Sequence, residues 1–209
     1  MIEGTFNQVV KASGKFGGSL VVFEGHPQLL VGGFNFKLED LPAAGDVLPC
    51  GTPVYCDEET RYIVPIITAE VIAVSGTTVT LKDHGFGCVP FKVGATVAEL
   101  GADLTAAAEN YATIASKEGN VLTLSAAVTG LAVGDILVEV DATSKKLKAT
   151  PNALLPYDVV RDANAISVDG DGMIGNDRPV LERRMPAINA AIKTAVQANG
   201  HNIIFSNRK

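Results

Sequence analysis

Three cysteines and three histidines are the residues of this 209-residue chain best suited to metal or nucleophile chemistry. Cys50, Cys56, His84 and Cys88 form the one set a zinc ion could use. Structural zinc sites open on a Cys-x(2–4)-Cys knuckle. Here five residues separate the first two cysteines and three separate His84 from Cys88. The spacing therefore predicts reduced, buried thiols and no metal, and an odd cysteine count does not make a disulfide framework. His26 (in Glu-Gly-His-Pro), His84 (in Lys-Asp-His-Gly) and His201 all sit in turn-like contexts and read as solvated residues. Paired carboxylates, Asp57/Glu58 and Asp169/Asp171, fall in turns as well. Counting an EF-hand loop from Asp169 puts Val180 where the bidentate Glu belongs, which argues against calcium. There is no Gly-x-Ser-x-Gly elbow, no phosphate-binding Gly-x(4)-Gly-Lys loop and no His-Glu-x-x-His. The reading expects no catalytic residue and no cofactor.

The charge balance narrows the partners. Seventeen basic residues stand against 23 acidic ones, giving −6 and a sequence pI near 5.1. Nucleic-acid binders carry a basic stripe, so nucleic acid is not expected as a partner. The most apolar region, residues 63–74, is interrupted by Pro65 and Glu70 and is too short to span a bilayer, so no membrane association is expected. The opening Met-Ile-Glu-Gly-Thr-Phe lacks the basic start of a secretory signal, and synthesis in the cytoplasm is the expectation.

The elements that would position any site are short. Gly and Pro punctuate the chain up to about residue 100, and Val-, Ile-, Thr- and Phe-rich runs lie between them. Residues 1–40 hold many glycines and only small apolar pieces. They read as an extended arm, or a hairpin, that docks on something, with Val21, Phe23, Leu30 and Phe34 as its contact residues; the alternative is an ordinary β-hairpin packed on its own domain. Pro42, Pro49 and Pro53 each remove a ladder donor, so no central strand is expected there. Tyr62 to Val74 is the strongest strand signal. A repeat follows at a spacing of about forty residues. Gly76-Thr-Thr-Val-Thr-Leu81 matches Gly119-Asn-Val-Leu-Thr-Leu124, Val93-Gly94 matches Val133-Gly134, and Val71 to Ser75 is aligned with Ala112 to Ser116. Two copies are too few for a solenoid, so a duplicated hairpin closing one barrel or sandwich is expected. Asp103 is a candidate cap for a short helix in the Ala-rich linker. Near the end, Ile188, Ile192 and Val196 share one face of a helix over 186–199 that Pro186 opens and Gly200 ends. That face would serve a trimer contact or the core. Ile203-Ile-Phe205 closes the chain as a strand. The expected class is mainly β, a short-stranded barrel or sandwich with one C-terminal helix, divided into an arm (1–40), a core (41–160) and a C-terminal region (161–209).

The order of several motifs resembles the head fibre and capsid-decoration proteins of tailed bacteriophages. The motifs are Leu48-Pro-Cys-Gly-Thr-Pro-Val-Tyr, Ile66-Ile-Thr-Ala-Glu-Val, Lys82-Asp-His-Gly-Phe, Phe91-Lys-Val-Gly94, Gly134-Asp-Ile-Leu, Thr150-Pro-Asn-Ala153 and Arg183-Arg-Met-Pro-Ala with its helix and closing strand. The similarity runs over residues 41–209, and Gly87-Cys-Val-Pro90 departs from the pattern. The resemblance implies a virion protein on the capsid exterior, bound to major capsid protein, often as a homotrimer, with no catalytic site. On that view the arm anchors the protein, and deleting residues 1–40 would leave a folded trimer that no longer binds shells. Two other classes compete. A carbohydrate-binding module would contact a host-surface glycan, but glycan sites favour exposed aromatics and the chain has no Trp. A β-sandwich hydrolase has no motif in its support.

Overall fold

Short turn-bounded apolar runs bury one face each, and only their pairing into sheets can hide the rest. The computed structural model describes residues 22–30, 33–83, 89–199 and 202–207. In chain order the strands are β1 (Pro27–Leu29), β2 (Phe34–Phe36), β3 (Val47–Leu48), β4 (Pro53–Cys56), β5 (Tyr62–Pro65), β6 (Thr68–Ser75), β7 (Thr78–Leu81), β8 (Thr96–Glu99) and β9 (Tyr111–Glu118). They continue with β10 (Val121–Leu124), β11 (Ile136–Val140), β12 (Ala153–Leu154), β13 (Val159–Val160), β14 (Val168–Gly170), β15 (Met173–Asn176), β16 (Val180–Leu181) and β17 (Phe205–Ser206). Among the described residues a 3-10 turn at Glu182–Arg184 and one α-helix, α1 (Ala190–Asn199), precede β17. The chain is mainly β, with a barrel, further sheets and a C-terminal helix.

Strands β6 to β11 close a six-stranded barrel in the order β10-β7-β6-β11-β8-β9, every ladder antiparallel. Closure leaves no barrel edge to pair with another chain. The barrel is inserted in a seven-stranded sheet, β1-β15-β12-β4-β5-β2-β14. That sheet takes strands from all three expected regions, so residues 40/41 and 160/161 are not domain boundaries.

The repeat is real, and its two copies are related by a pseudo-twofold axis. Between β7 and β10, Leu122 pairs with Val79, Val121 with Thr80 and Thr123 with Thr78. Exchanging each residue for its repeat counterpart returns the same ladder. The β8–β11 ladder does likewise about Val138 and Ala98. Hydrogen bonds and bulges follow the symmetry. Gly134 N–H donates to Val71 O at 2.8 Å, and Gly94 N–H donates to Ile114 O at 2.9 Å. Ile72 is bulged in β6 and Ala115 in β9. Both tight turns place a glycine at positive φ, Gly76 at 59° and Gly119 at 58°. These contacts correct the expected alignment of β6: Val71 matches Ile114, not Ala112, a slip of two residues.

Four other expectations change. Tyr62 to Val74 is two strands in different sheets. Pro65 ends β5, Ile67 packs into one core and Ile66 into the other. Strand β4 is central despite its proline, because Pro53 is the strand's first residue, where a missing N–H is tolerated. Asp103 caps no helix; its Oδ1 accepts the N–H and hydroxyl of Thr105, an Asx turn. Helix α1 starts at Ala190, not near Pro186, because Asn189 Oδ1 accepts the N–H of Ile192 at 3.0 Å and supplies the cap.

Two cores hold these layers. The first joins one face of the sheet (Phe34, Phe36, Val54, Cys56) to the barrel lumen (Val71, Val79, Leu122, Leu137). The second joins the outer barrel wall (Ala98, Leu100, Val138, Val140) to Leu154, Met173 and α1. The barrel has a near mouth, where β6 leaves the sheet and β11 returns to it, and a far mouth at the Gly76 and Val133-Gly134 turns.

Candidate interaction surface

The residues expected to anchor the protein are built into its own fold. Phe34 is fully buried, with the Arg61 guanidinium 5.6 Å from its ring centroid. Strand β2 is held between β14 and β5. Leu30 packs on the first core, and its N–H donates to Gly172 O at 2.9 Å. Phe23 bridges Val180 and lies against the second core. Val21 lies outside the described residues. Residues 22–30 and 33–36 therefore pack on their own domain and are not a free arm, and they do not do so as a hairpin, since β1 and β2 pair with other strands. The sequence reading weighed glycine content and missed that Phe34 and Phe36 alternate with a polar residue, the pattern of a half-buried strand. The helix face is likewise spent internally: Ile192 and Val196 are fully buried and Ile188 packs beside them.

Buried charge concentrates at the near mouth. Lys148 Nζ lies 2.8 Å from Asp40 Oδ1 and 2.9 Å from Glu139 Oε1, and Glu139 is only 5% exposed. Burial pulls the Lys148 ammonium down, but the two carboxylates outweigh it and hold its pKa above 10.5. Lys117 Nζ donates to Asp46 Oδ2 at 2.7 Å and to the carbonyls of Val89 and Phe91. These contacts tie the segment around 38–46 over the near mouth, where a cleft of about 580 Å³ remains between Leu38, Pro42, Phe91 and Arg161.

The thiols are quenched rather than activated. Burial, reinforced by Glu58 and Asp171, pushes the Cys56 thiol up to about 12. Cys50 is raised further by burial and Asp158, and its thiol donates to Pro156 O. The two belong to different cores. His84, Cys88 and His201 lie outside the described residues. Among the described residues no group of three or more His, Cys, Asp or Glu could hold a metal ion. Asp171, in the turn where the sequence argued against calcium, accepts the Tyr157 hydroxyl at 2.9 Å. The sequence reading missed one pair with catalytic chemistry: Asp177 accepts the His26 N–H at 2.7 Å, and its other oxygen lies 3.2 Å from His26 Nδ1. Asp177 orients the ring, but no hydroxyl or thiol is hydrogen-bonded to it among the described residues.

Exposed apolar side chains are spread over the molecule, from Val93 at the near mouth and Ile166 outside the barrel to the far half of the barrel. Ile72, Val74, Tyr111 and Val133 are all exposed there, Val133 at 66%. A cleft of about 380 Å³ follows the outer wall of β8 and β11, with Leu104 and Val138 in its lining and Glu99, Asp103, Glu109 and Lys145 among its charges. No helix is long and apolar enough to cross a membrane among the described residues. The fold defines a closed β-barrel carried on a seven-stranded sheet. No protein-family model, curated protein or solved structure matches the chain.

Proposed function

We propose that the protein is a structural virion component that decorates the outside of a phage head, bound to major capsid protein as a homotrimer. The observation that carries this reading is the exposure of Ile72, Val74 and Val133 on the half of the barrel that the sheet does not cover. Exposed apolar side chains on a closed barrel offer a macromolecular contact without a free strand edge. The ordered motifs from Leu48 to the closing strand supply the link to head decoration. A trimer would present three copies of a modest contact to one shell feature, and avidity would supply the affinity. The anchor differs from the one read in the sequence: the barrel's free end replaces the arm. Glycan binding is less favoured, because exposed Tyr62 and Tyr111 each carry a lysine over the ring, Lys37 at 5.1 Å and Lys145 at 4.3 Å. The test is co-sedimentation of the full chain with undecorated phage heads, paired with sedimentation equilibrium of the free protein. Saturable binding by a trimer is expected. A monomer that ignores shells would overturn the reading.

A further inference from the structure

Four buried side-chain polar atoms have no hydrogen-bond partner among the described residues: Thr68 Oγ1, Glu139 Oε2, Asn176 Oδ1 and Arg161 Nε. A buried donor without an acceptor is costly, most of all on a charged group. Arg161 is the one cation of the four, and it lines the near-mouth cleft of about 580 Å³. Its Nη1 donates to Leu38 O at 3.1 Å, the only hydrogen bond of its side chain among the described residues. The edge formed by Nε and Nη2 is left without an acceptor. The nearby carboxylates are committed elsewhere. Asp46 lies 2.7 Å from Lys117 Nζ, and Asp40 lies 2.8 Å from Lys148 Nζ. Asp162, the next residue in the chain, accepts the Asn164 N–H at 2.8 Å. In the lining of the cleft Lys117 and Asp46 cancel as a pair and Lys92 offsets Glu39, so Arg161 is the uncompensated charge. The walls around it are apolar: Leu38, Leu41, Pro42 and Phe91.

We infer that the near-mouth cleft binds a small monocarboxylic acid with an apolar body. A carboxylate presents two coplanar oxygens that match the two parallel N–H groups on one edge of a guanidinium. Arg161 turns its Nε/Nη2 edge into the cleft to take them, and Nε gains the acceptor it lacks. One uncompensated positive charge suits a monoanion. The apolar body lies against Leu41, Pro42 and Phe91, and its removal from water adds to the affinity. The volume falls within the range of small-molecule sites, about 300–1,000 Å³. The 38–46 segment that forms one wall is pinned by Asp40 to Lys148 and by Asp46 to Lys117, so this wall is in place before the ligand arrives. The inference stands whether or not the protein decorates a shell.

The test titrates the full isotope-labelled chain with hexanoate, hexanamide, acetate and inorganic phosphate. NMR follows the Arg161 Nε–H signal and the amides of Leu38, Leu41 and Phe91. Hexanoate is expected to shift all four saturably in the millimolar range. Hexanamide has the same body without the charge and should bind at least about tenfold more weakly. Acetate has the charge without the body and should also bind at least about tenfold more weakly. Arg161→Met should weaken hexanoate at least about tenfold. Arg161→Lys keeps the charge but not the fork and should weaken it less. Unchanged spectra away from the cleft verify folding, and the comparison of ligands on the unaltered chain stands without either variant. Equal shifts from hexanoate and hexanamide, tighter binding of phosphate, or no shift from any ligand would overturn the inference. Acetyl-Leu-Leu with a free C-terminus tests the other source of the same chemistry: binding tighter than that of hexanoate would overturn the small acid in favour of a chain terminus.

Discussion

Leu122 faces Val79 across the β7–β10 ladder on the axis that exchanges the two halves of the barrel, and both side chains are buried in its lumen. Each is the other's counterpart in the repeat, so their truncations probe one site from two sides. Leu122→Ala should cost about 3 kcal/mol and Val79→Ala about 2 kcal/mol, the difference following the volume removed. Because the two touch one shared space, the double variant should depart from additivity by at least about 0.5 kcal/mol. Urea unfolding of the four proteins measures the cycle. Strict additivity would show that the dyad pair does not share a packed centre.

The buried triad at the near mouth makes a second prediction. Lys148→Met keeps the stem but leaves Glu139 and Asp40 facing each other without a cation. Removing one partner of a buried ion pair costs about 3–5 kcal/mol; the partial exposure of Lys148 places the expected loss near the lower figure. Adding Glu139→Gln to that variant should recover part of it, since it removes a buried charge that has lost its partner. Thermal or urea unfolding of the single and double variants reads both effects.

How far the sequence disclosed this arrangement follows from the range of each contact. The barrel hairpins were legible because a two-residue turn with glycine is a local signal, written twice. The sheet was not, because β2, β4, β12 and β15 meet across long separations that no local pattern records. Pro53 pointed away from a central strand, since its tolerance depends on being the strand's first residue. The Asn189 cap was legible in principle, as an amide residue directly before Ala-Ala-Ile. The Lys148–Glu139–Asp40 contact left no trace in spacing.

Stability should fall on the alkaline side before the acid side offers any comparable change. Burial raises Cys50, Cys56 and Tyr157 above their ordinary values, and the carboxylates raise Lys148. A group raised in the folded state stabilises it fully below its unfolded pKa and loses that contribution as pH climbs toward the folded value. The loss therefore begins near pH 9.0 with the cysteines and steepens above 10.5 as the lysine joins. Asp57, Asp103, Asp141 and Asp177 are lowered by hydrogen bonds, so their opposite contribution fades only as pH falls through and below 3.8. These four are fully exposed, and the acid limb should be shallow. Melting temperatures across the pH range test the asymmetry. The same burial predicts that iodoacetamide at neutral pH leaves Cys50 and Cys56 unmodified in the folded protein and labels both in denaturant, read by peptide mass spectrometry.

Two glycines separate backbone strain from collision. Gly51 has φ of +82°, and an added Cβ would overlap Met185 Cβ and press on Val22. Gly76 has φ of +59°, with nothing near an added Cβ. Gly76→Ala should cost about 1 kcal/mol from the left-handed backbone alone. Gly51→Ala adds overpacking against Met185 and should cost about 3 kcal/mol in total. Equal losses in urea unfolding would mean that Met185 yields without cost.

The N-terminal truncation now has a different expected outcome from the one the sequence implied. Residues 22–40 give the first core Phe34 and Phe36, give the second core Val22, and place β2 between β14 and β5. Removing residues 1–40 takes β2 out of the sheet and leaves β14 without its one ladder partner. It also removes Asp40, one of the two carboxylates on Lys148. Loss of a single buried Phe costs about 3–5 kcal/mol, against a total domain stability of about 5–15 kcal/mol. Losing two together with a strand should therefore abolish the cooperative unfolding transition, not merely weaken a contact. Phe34→Ala is the graded version and should lower stability by about 4 kcal/mol while leaving a folded protein. Circular dichroism melts of both proteins decide the point. A truncated chain that still melts cooperatively would show that the sheet does not need β2 and would return residues 22–40 to the role of a detachable arm.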